Sequence, residues 1–292
     1  MRFGLFLGCL IPARFPAYEL SARRVLELLG VELVDLGTGC CGSPYIHSVS
    51  HEAGLALAAW NLSLAEEEGL KTVMTLCSGC HEVLSRAVAE LKDISKREEV
   101  NALLSKVGRE YKGEVEVKHL VRVLYEDLGL DKVREAIKRP LDGLRVAVHY
   151  GCHLLRPSEV IRFENPHGPK SMDELVEATG ATSIPYEDKL ECCGFPALPV
   201  DEGLAYSIAR DKLASMASAG ADLVVTACPS CFLHFENTQI IARRKQGDRG
   251  LPVLHITQLL GLAMGLGPDE VGLRENRVRP DRVLELLSRG KR

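Results

Sequence analysis

Ten cysteines carry the chemistry of this 292-residue chain, and their spacing follows a rule. Cys9 is followed by Cys40-Cys41-Gly42 and then by Cys77-Ser78-Gly79-Cys80. The order repeats as Cys152, Cys192-Cys193-Gly194 and Cys228-Pro229-Ser230-Cys231. Every cysteine belongs to one of these two sets of five. Thiols that only filled a core would not keep such an order. Thiolate sites suit both zinc and iron–sulfur clusters. Five thiolates are one more than a tetrahedral zinc site takes, and one more than an ordinary cubane cluster takes. Zinc in each half with a spare cysteine is one reading. A thioredoxin-like role for either Cys-x-x-Cys leaves the other three cysteines of its set unexplained.

The composition narrows the class. Hydrophobic residues make up 46% of the chain, enough for two lobes of ordinary domain size. The formal net charge is -4, so no basic excess meets phosphates and no nucleic acid is expected as a partner. No apolar run is long enough to span a bilayer. The start, Met1-Arg2-Phe3-Gly4-Leu5-Phe6-Leu7-Gly8-Cys9, superficially resembles a lipoprotein signal. Its apolar stretch is too short for that, and Pro12 follows, so it reads as a first strand. Without a secretory signal, the cysteines point to metal or redox chemistry in a reducing, cytoplasmic setting.

Strands alternating with helices must position these cysteines. Arg2–Gly8 reads as a buried strand, and Cys9-Leu10-Ile11-Pro12 as the loop at its end. A helix over Tyr18–Leu29 is stopped by Gly30. Val31–Leu36 is a strand leading to Cys40 and Cys41. Ser50–Glu68 is a long helix, and Thr72–Leu76 a strand ending at Cys77. Cys80–Lys92 is helical, Lys96–Tyr111 a charged surface helix, Val115–Val117 a strand and His119–Leu128 a helix. Then the pattern restarts. Arg145–His149 is a strand before Cys152, Ser171–Thr179 a helix, and Thr182–Tyr186 a strand before Cys192. Leu204–Ala219 is a helix, Leu223–Ala227 a strand ending at Cys228, Phe232 onward a helix, Pro252–Leu254 a strand and Ile256–Met264 a helix.

The halves are copies. Cys40 and Cys192 stand 152 positions apart; Cys77 and Cys228, and Cys80 and Cys231, stand 151 apart. Val117-Lys118-His119-Leu120 matches Val253-Leu254-His255-Ile256. The alternation implies parallel βαβ units. The expected architecture is α/β: two pseudo-twofold-related, Rossmann-like lobes with parallel sheets, spanning 1–141 and 142–292. Strand ends share one edge of a parallel sheet, so three loops per lobe can converge on one point. Helices begin after several of these loops, and their N-terminal amides favour an anionic, thiolate-bound cluster.

On these residues the chain resembles the CCG-domain proteins, and most of all the B subunit of heterodisulfide reductase. The resemblance runs from Phe6-Leu7-Gly8-Cys9-Leu10-Ile11-Pro12 through His149-Tyr150-Gly151-Cys152-His153-Leu154-Leu155-Arg156-Pro157 and Cys228-Pro229-Ser230-Cys231 to His255–Gly265. It implies that each set of five cysteines holds a noncubane 4Fe-4S cluster, with a disulfide substrate cleaved between the two. Cys9, Cys40, Cys41, Cys77 and Cys80 would hold one; Cys152, Cys192, Cys193, Cys228 and Cys231 would hold the other. It also implies a ferredoxin-like C subunit and a flavin-containing A subunit as partners. No nucleotide fingerprint occurs here, so neither flavin nor nucleotide is expected on this chain. Related subunits serve sulfur-oxidising complexes, which leaves the direction of reaction open. In the methanogen enzymes the second Cys-Cys-Gly runs into a glycine-rich stretch; here it runs into Phe195-Pro196-Ala197-Leu198-Pro199.

Other residues near the cysteines have two readings each. His153, and with less support His81, adjoin cysteines and could protonate a leaving thiolate. The alternative is a hydrogen bond to a loop carbonyl. His119 and His255 are expected in structural hydrogen bonds, and His149 as a satisfied core histidine. Arg156 and Arg162 lie in a span of 40 positions from Cys152 to Cys192, against 31 from Cys9 to Cys40. Arginine there suits an anionic thiol substrate, while a solvated role is preferred for Arg162. Gly42 and Gly194 are expected to permit tight turns or close cluster approach. The charged stretch Arg243 to Arg249 is expected to be solvated. Two other classes compete with disulfide chemistry: an electron-transfer subunit of another dehydrogenase, of hydroxy-acid or succinate type, and a zinc-stabilised assembly module.

Overall fold

The computed structural model describes residues 1–246 and 250–289, without the side chains of 243–246 and 289. The charged stretch 243–249 therefore lies outside the described side chains. Four strands form a first sheet: β1 (Arg2–Phe6), β2 (Glu32–Asp35), β3 (Thr72–Thr75) and β4 (Glu116–His119). Four more form a second: β5 (Arg145–His149), β6 (Thr182–Ile184), β7 (Leu223–Thr226) and β8 (Val253–His255). The orders are β2-β1-β3-β4 and β6-β5-β7-β8. Every pairing in both is parallel.

The inner strands are covered on both faces, which is why Val73-Met74 and Leu223-Val224-Val225 read as unbroken apolar runs. Strand order reverses between β1 and β3, and again between β5 and β7. Such a switch point opens a crevice beyond the strand ends, because the connecting helices there go to opposite faces. Cys9 and Cys77 follow the first pair of strands; Cys152 and Cys228 follow the second.

The duplication reaches the helix caps. Ser50 caps the helix His51–Glu67 by accepting from the Ala53 amide at 3.2 Å. Asp201, its counterpart, caps Glu202–Ser218 by accepting from Leu204 at 2.9 Å. The halves are also knitted together. Tyr18, on helix Pro16–Leu28, donates its hydroxyl to the Ala227 carbonyl at 3.1 Å, and Ser21 bonds Thr257 at 2.7 Å. Among the described residues, two apolar cores each draw from both halves.

Three local expectations need correction. Leu10–Arg14 is a short helix rather than a loop. Pro12 sits in its first turn, where a missing amide costs nothing. The charged helix runs Ile94–Leu104, starting earlier because Asp93 caps the Ser95 and Lys96 amides. It stops earlier because Tyr111 is buried at 1% exposure, its backbone tied to Asn101. Ser43–Val49, straight after the first Cys-Cys-Gly, is a helix that periodicity does not show.

Loss of either cap leaves first-turn amides unpaired. Ser50→Ala and Asp201→Ala are each expected to lower stability by about 1 kcal/mol. Urea unfolding should show a lower midpoint at unchanged slope.

Candidate metal centre

The strand ends deliver the thiols to one continuous line. Neighbouring thiols interact in series, Cys40 with Cys41, Cys41 with Cys80 and Cys80 with Cys77. In the second half the series runs Cys152 with Cys192, Cys192 with Cys193, Cys193 with Cys231 and Cys231 with Cys228. Cys77 interacts with Cys228 and so makes the two sets neighbours. Cys9 acts on Cys40 from a more exposed position. Cys41, Cys77, Cys80, Cys193, Cys228 and Cys231 are buried, while Cys40, Cys152 and Cys192 are half-buried. The line thus opens toward solvent at both ends and is closed in the middle.

Matched local devices hold each Cys-x-x-Cys. Thr75 Oγ1 accepts from the Cys77 amide at 3.2 Å, and Thr226 Oγ1 from the Cys228 amide at 3.3 Å. The amide of Cys80 acts on the Cys77 sulfur, and those of Ser230 and Cys231 act on Cys228, each favouring the thiolate. These amides open the helices Ser78–Glu90 and Pro229–Gln246, as the expected anion-binding helix starts require. Gly42 and Gly194 take φ of +97° and +92°. A side chain at Gly194 would put its Cβ 2.7 Å from the Ala205 carbonyl oxygen. The Gly194 amide donates to Cys192 Sγ at 3.4 Å, and the amides beyond each glycine, of Ser43 and Phe195, donate to Cys41 and Cys193.

The thiols divide by proton affinity. Donation from Cys40 and then Cys80 pushes Cys41 down to about 3. Cys192 is pushed down to about 2, first by Cys152 and then by Cys193. Cys228 is pushed well down, first by Cys231. Cys40, Cys77 and Cys152 rise in step, each first through its bond to one of those lowered thiols. A second proton leaves reluctantly beside an existing charge. The line cannot become all thiolate on its own.

Buried imidazoles surround it. His119 accepts the Val121 amide on Nδ1 at 3.1 Å, the structural role expected of it. His255 is stacked between Tyr18 at 3.7 Å and Phe232 at 4.2 Å. Burial pushes His119 down to about 4 and His149 and His255 down to about 3. His149 is not the satisfied core histidine expected from its strand. Both ring nitrogens lack a partner, and one lies within 4.8 Å of Cys193 Sγ and Cys231 Sγ. The strand ends there, so the side chain faces the crevice rather than the sheet core. His81 is fully buried and packs on His119, with ring centroids 5.7 Å apart. His153 is half-buried in the short helix Cys152–Leu155, its Nδ1 3.9 Å from Glu82 Oε2. Arg156 is spent on the Leu190 and Pro166 carbonyls, both at 3.4 Å, and Arg162 bonds the nearby Glu159 carbonyl at 2.9 Å.

Other residues escape sequence reasoning. Gly8 and Gly151 precede Cys9 and Cys152 with φ of +67° and +74°. A Cβ on Gly8 would meet Cys80 Sγ at 2.9 Å. The repeated Gly-Cys pair is the available signal. Asn61, at 1% exposure, clamps the first Cys-Cys loop by accepting from Gly39 at 2.9 Å and donating to the Cys40 carbonyl at 2.9 Å. Its counterpart Lys212, at 2% exposure, reaches the Asp188 carbonyl and senses Cys193 and Cys231. No local pattern marks either one, since both face inward from ordinary helices.

The crevice fits an iron–sulfur group. Its donors are soft, it holds more thiols than zinc takes, and orphaned imidazole nitrogens line it. Buried polar groups without partners ask for an ion or cluster.

The fold and the doubled thiol set define a two-copy cysteine-rich protein. The CCG cysteine-rich domain matches this chain twice, over residues 3–85 and 146–236. The chain is 42% identical to the B subunit of the ferredoxin/F420H2-dependent CoB-CoM heterodisulfide reductase of Methanosarcina acetivorans, over 95% of this chain and 94% of that one. It is 37% identical to the 8-methylmenaquinol:fumarate reductase membrane anchor subunit of Wolinella succinogenes, over 94% of this chain and 96% of that one. A crystal structure of a hypothetical Helicobacter pylori protein shares the fold at a TM-score of 0.75 and 19% identity. It covers 95% of this chain, which spans 52% of that longer one. The chain belongs to the heterodisulfide reductase B-subunit family of CCG-domain proteins.

Gly8→Ala adds left-handed backbone strain of about 1–2 kcal/mol and displaces Cys80. Gly151→Ala adds the strain, but its Cβ meets Cys231 Sγ at an ordinary 3.7 Å. Gly8→Ala should therefore lose more bound metal per chain than Gly151→Ala, measured by elemental analysis of anaerobically purified protein.

Proposed function

We propose that this chain is the iron–sulfur catalytic subunit of a heterodisulfide-reductase-like complex, reducing or forming an S–S bond of a small thiol/disulfide substrate. Cys9, Cys40, Cys41, Cys77 and Cys80 hold one noncubane 4Fe-4S cluster; Cys152, Cys192, Cys193, Cys228 and Cys231 hold the other. When bound, these clusters supply single electrons and Lewis-acidic iron for two sulfurs. The observation that carries this function is the Cys77–Cys228 contact, which makes the two sets neighbours. Adjoining sets can serve the two ends of one short bond. Independent structural metal sites would gain nothing from touching.

His153 is the proton donor. It is half-buried, follows Cys152 directly, and has Glu82 beside it to orient the ring. Glu82 is itself fixed by Arg86 at 2.6 Å. Gly42 and Gly194 keep the backbone close to the clusters. Electrons pass to or from partner subunits, one ferredoxin-like and one carrying flavin, in the cytoplasm. Two observations support partners. The relatives above are named as subunits. Exposed Tyr45, Ile46 and Val49 follow the first Cys-Cys-Gly, and exposed Val200 and Leu204 the second. Tyr45 donates to the Pro196 carbonyl at 3.2 Å and joins the two segments into one face. We assign that face to a partner subunit.

A second reading is electron relay inside a complex that oxidises or reduces another substrate. The identity with the Wolinella succinogenes protein favours it. Among the described residues no helix is long and apolar enough to cross a membrane.

Iron and sulfide analysis with electron paramagnetic resonance tests the clusters, and turnover of disulfides and thiols with a dye as electron carrier separates catalysis from relay. Iron with no thiol or disulfide turnover would leave only the relay. His153→Ala should keep full iron content and lose activity by roughly 10²–10⁴-fold, the range of a lost general acid. Unchanged turnover would remove His153 from the chemistry.

A further inference from the structure

The two halves repeat the thiols and their clamps but not every residue around them. Aligning Gly8-Cys9 with Gly151-Cys152 places Phe6, the last residue of β1, opposite His149, the last residue of β5. Both side chains are buried, at 1% and 0% exposure. Phe6 offers nothing to a sulfur. His149 offers a ring N–H, has no protein partner for either nitrogen, and lies within 4.8 Å of two thiols of its own set. Among the described residues this is the one group of three or more possible ligands packed so tightly. Aligning the capped helices places Asn61 opposite Lys212. Asn61 is neutral. Lys212 is a buried amine that acts on Cys193 and Cys231 and lies 5.6 Å from the Tyr186 ring centre.

Hydrogen bonds to the sulfurs and nearby positive charge both favour the more negative, reduced form of an iron–sulfur cluster. At these two positions the second half places a ring nitrogen and an amine beside its thiols. Resting on the cluster assignment proposed above, we infer that the two sites are not redox-equivalent: His149 and Lys212 give the second-half site the higher reduction potential. An electron shared by the pair rests on the second half. With both clusters bound, its transfer from the first half would oxidise the first site by one electron and reduce the second by one. His149 would turn a ring N–H toward the sulfurs of its own set, which lie within 4.8 Å.

The experiment uses the anaerobically purified, iron-loaded full chain. Midpoint potentials of both clusters are read by resonance-monitored redox titration. Signals are assigned with Cys41→Ser and Cys193→Ser. The second-half signal should have the higher potential. His149→Phe and Lys212→Asn, each borrowing the first-half residue, should each lower it by tenfold or more in reduction equilibrium, about 59 mV per factor of ten for one electron. Both should leave the first-half signal in place. Labelling histidine with ¹⁵N should give a weak hyperfine coupling on the second-half signal, of the size of an N–H···S contact. Equal potentials, the reverse order, or two iron-replete variants that leave the second signal unmoved would overturn the inference. So would no nitrogen coupling, or a strong coupling that made His149 an iron ligand. If a variant loses its cluster, the wild-type order and the nitrogen coupling decide. A wild-type chain without iron or sulfide would instead strike down the cluster assignment itself, and this inference with it.

Discussion

The crowding of thiols is the constraint on which the rest depends. Two unit charges 4 Å apart near a protein surface repel by about 4 kcal/mol. The line from Cys40 to Cys152 brings such groups into contact repeatedly, much of it out of water. Only some can ionise unaided, and each lowered thiol sits beside a raised one. A densely charged cation relieves this repulsion along the whole line, which Lys212 alone cannot do. The surrounding structure helps in the same sense. Backbone amides of helix starts and Cys-Cys-Gly turns aim at sulfur, and both threonine clamps fix the approach of those amides.

A parallel sheet is the economical scaffold for such a site. All strand ends face one edge, so short loops bring distant sequence positions together without long ordered excursions. Two sheets are then set with these edges meeting at Cys77 and Cys228. The meeting is secured away from the sulfur. Helix Pro16–Leu28 packs against Ile256–Ala263, and buried hydroxyl bonds cross between the halves. Apolar burial drives this association without directing it, while the hydroxyl bonds of Tyr18 and Ser21 fix its register.

Much of this is legible in the chain. Both parallel sheets and most helices follow from apolar runs, caps and the repeat, because each element here obeys a local rule. The membership of each sulfur set is legible for the same reason: copying preserves spacing. What is not legible depends on direction. Whether His149 faces the sheet core or the crevice is decided by where β5 ends, not by its neighbours in sequence. The contact between Cys77 and Cys228 depends on how two sheets dock, and periodicity carries no record of docking. Tyr111 reads as part of a surface helix because the charges before it dominate the window. Its burial comes from Asn101, which pairs with it across the turn. Asn61 and Lys212 give no signal, since a polar residue in a helix is ordinarily solvated.

Duplication also separates what holds the site from what uses it. The residues that repeat are those that shape and hold the sulfur: the Gly-Cys pairs, the doublets with their glycines, Thr75 and Thr226, Ser50 and Asp201, His119 and His255. The residues that diverge stand where chemistry would be directional. Leu10 occupies the position of His153, Phe6 that of His149, and Asn61 that of Lys212. After the first doublet comes a helix, Ser43–Val49; after the second comes a short 3-10 turn, Phe195–Ala197, stiffened by proline. The exchange also runs the other way at one position, where His81 beside Cys80 stands opposite Phe232 beside Cys231. At the three positions of His153, His149 and Lys212, histidine and lysine enter the second half only, so the two linings differ. Equal scaffolds with unequal linings are what a site needs when the two ends of its reaction differ.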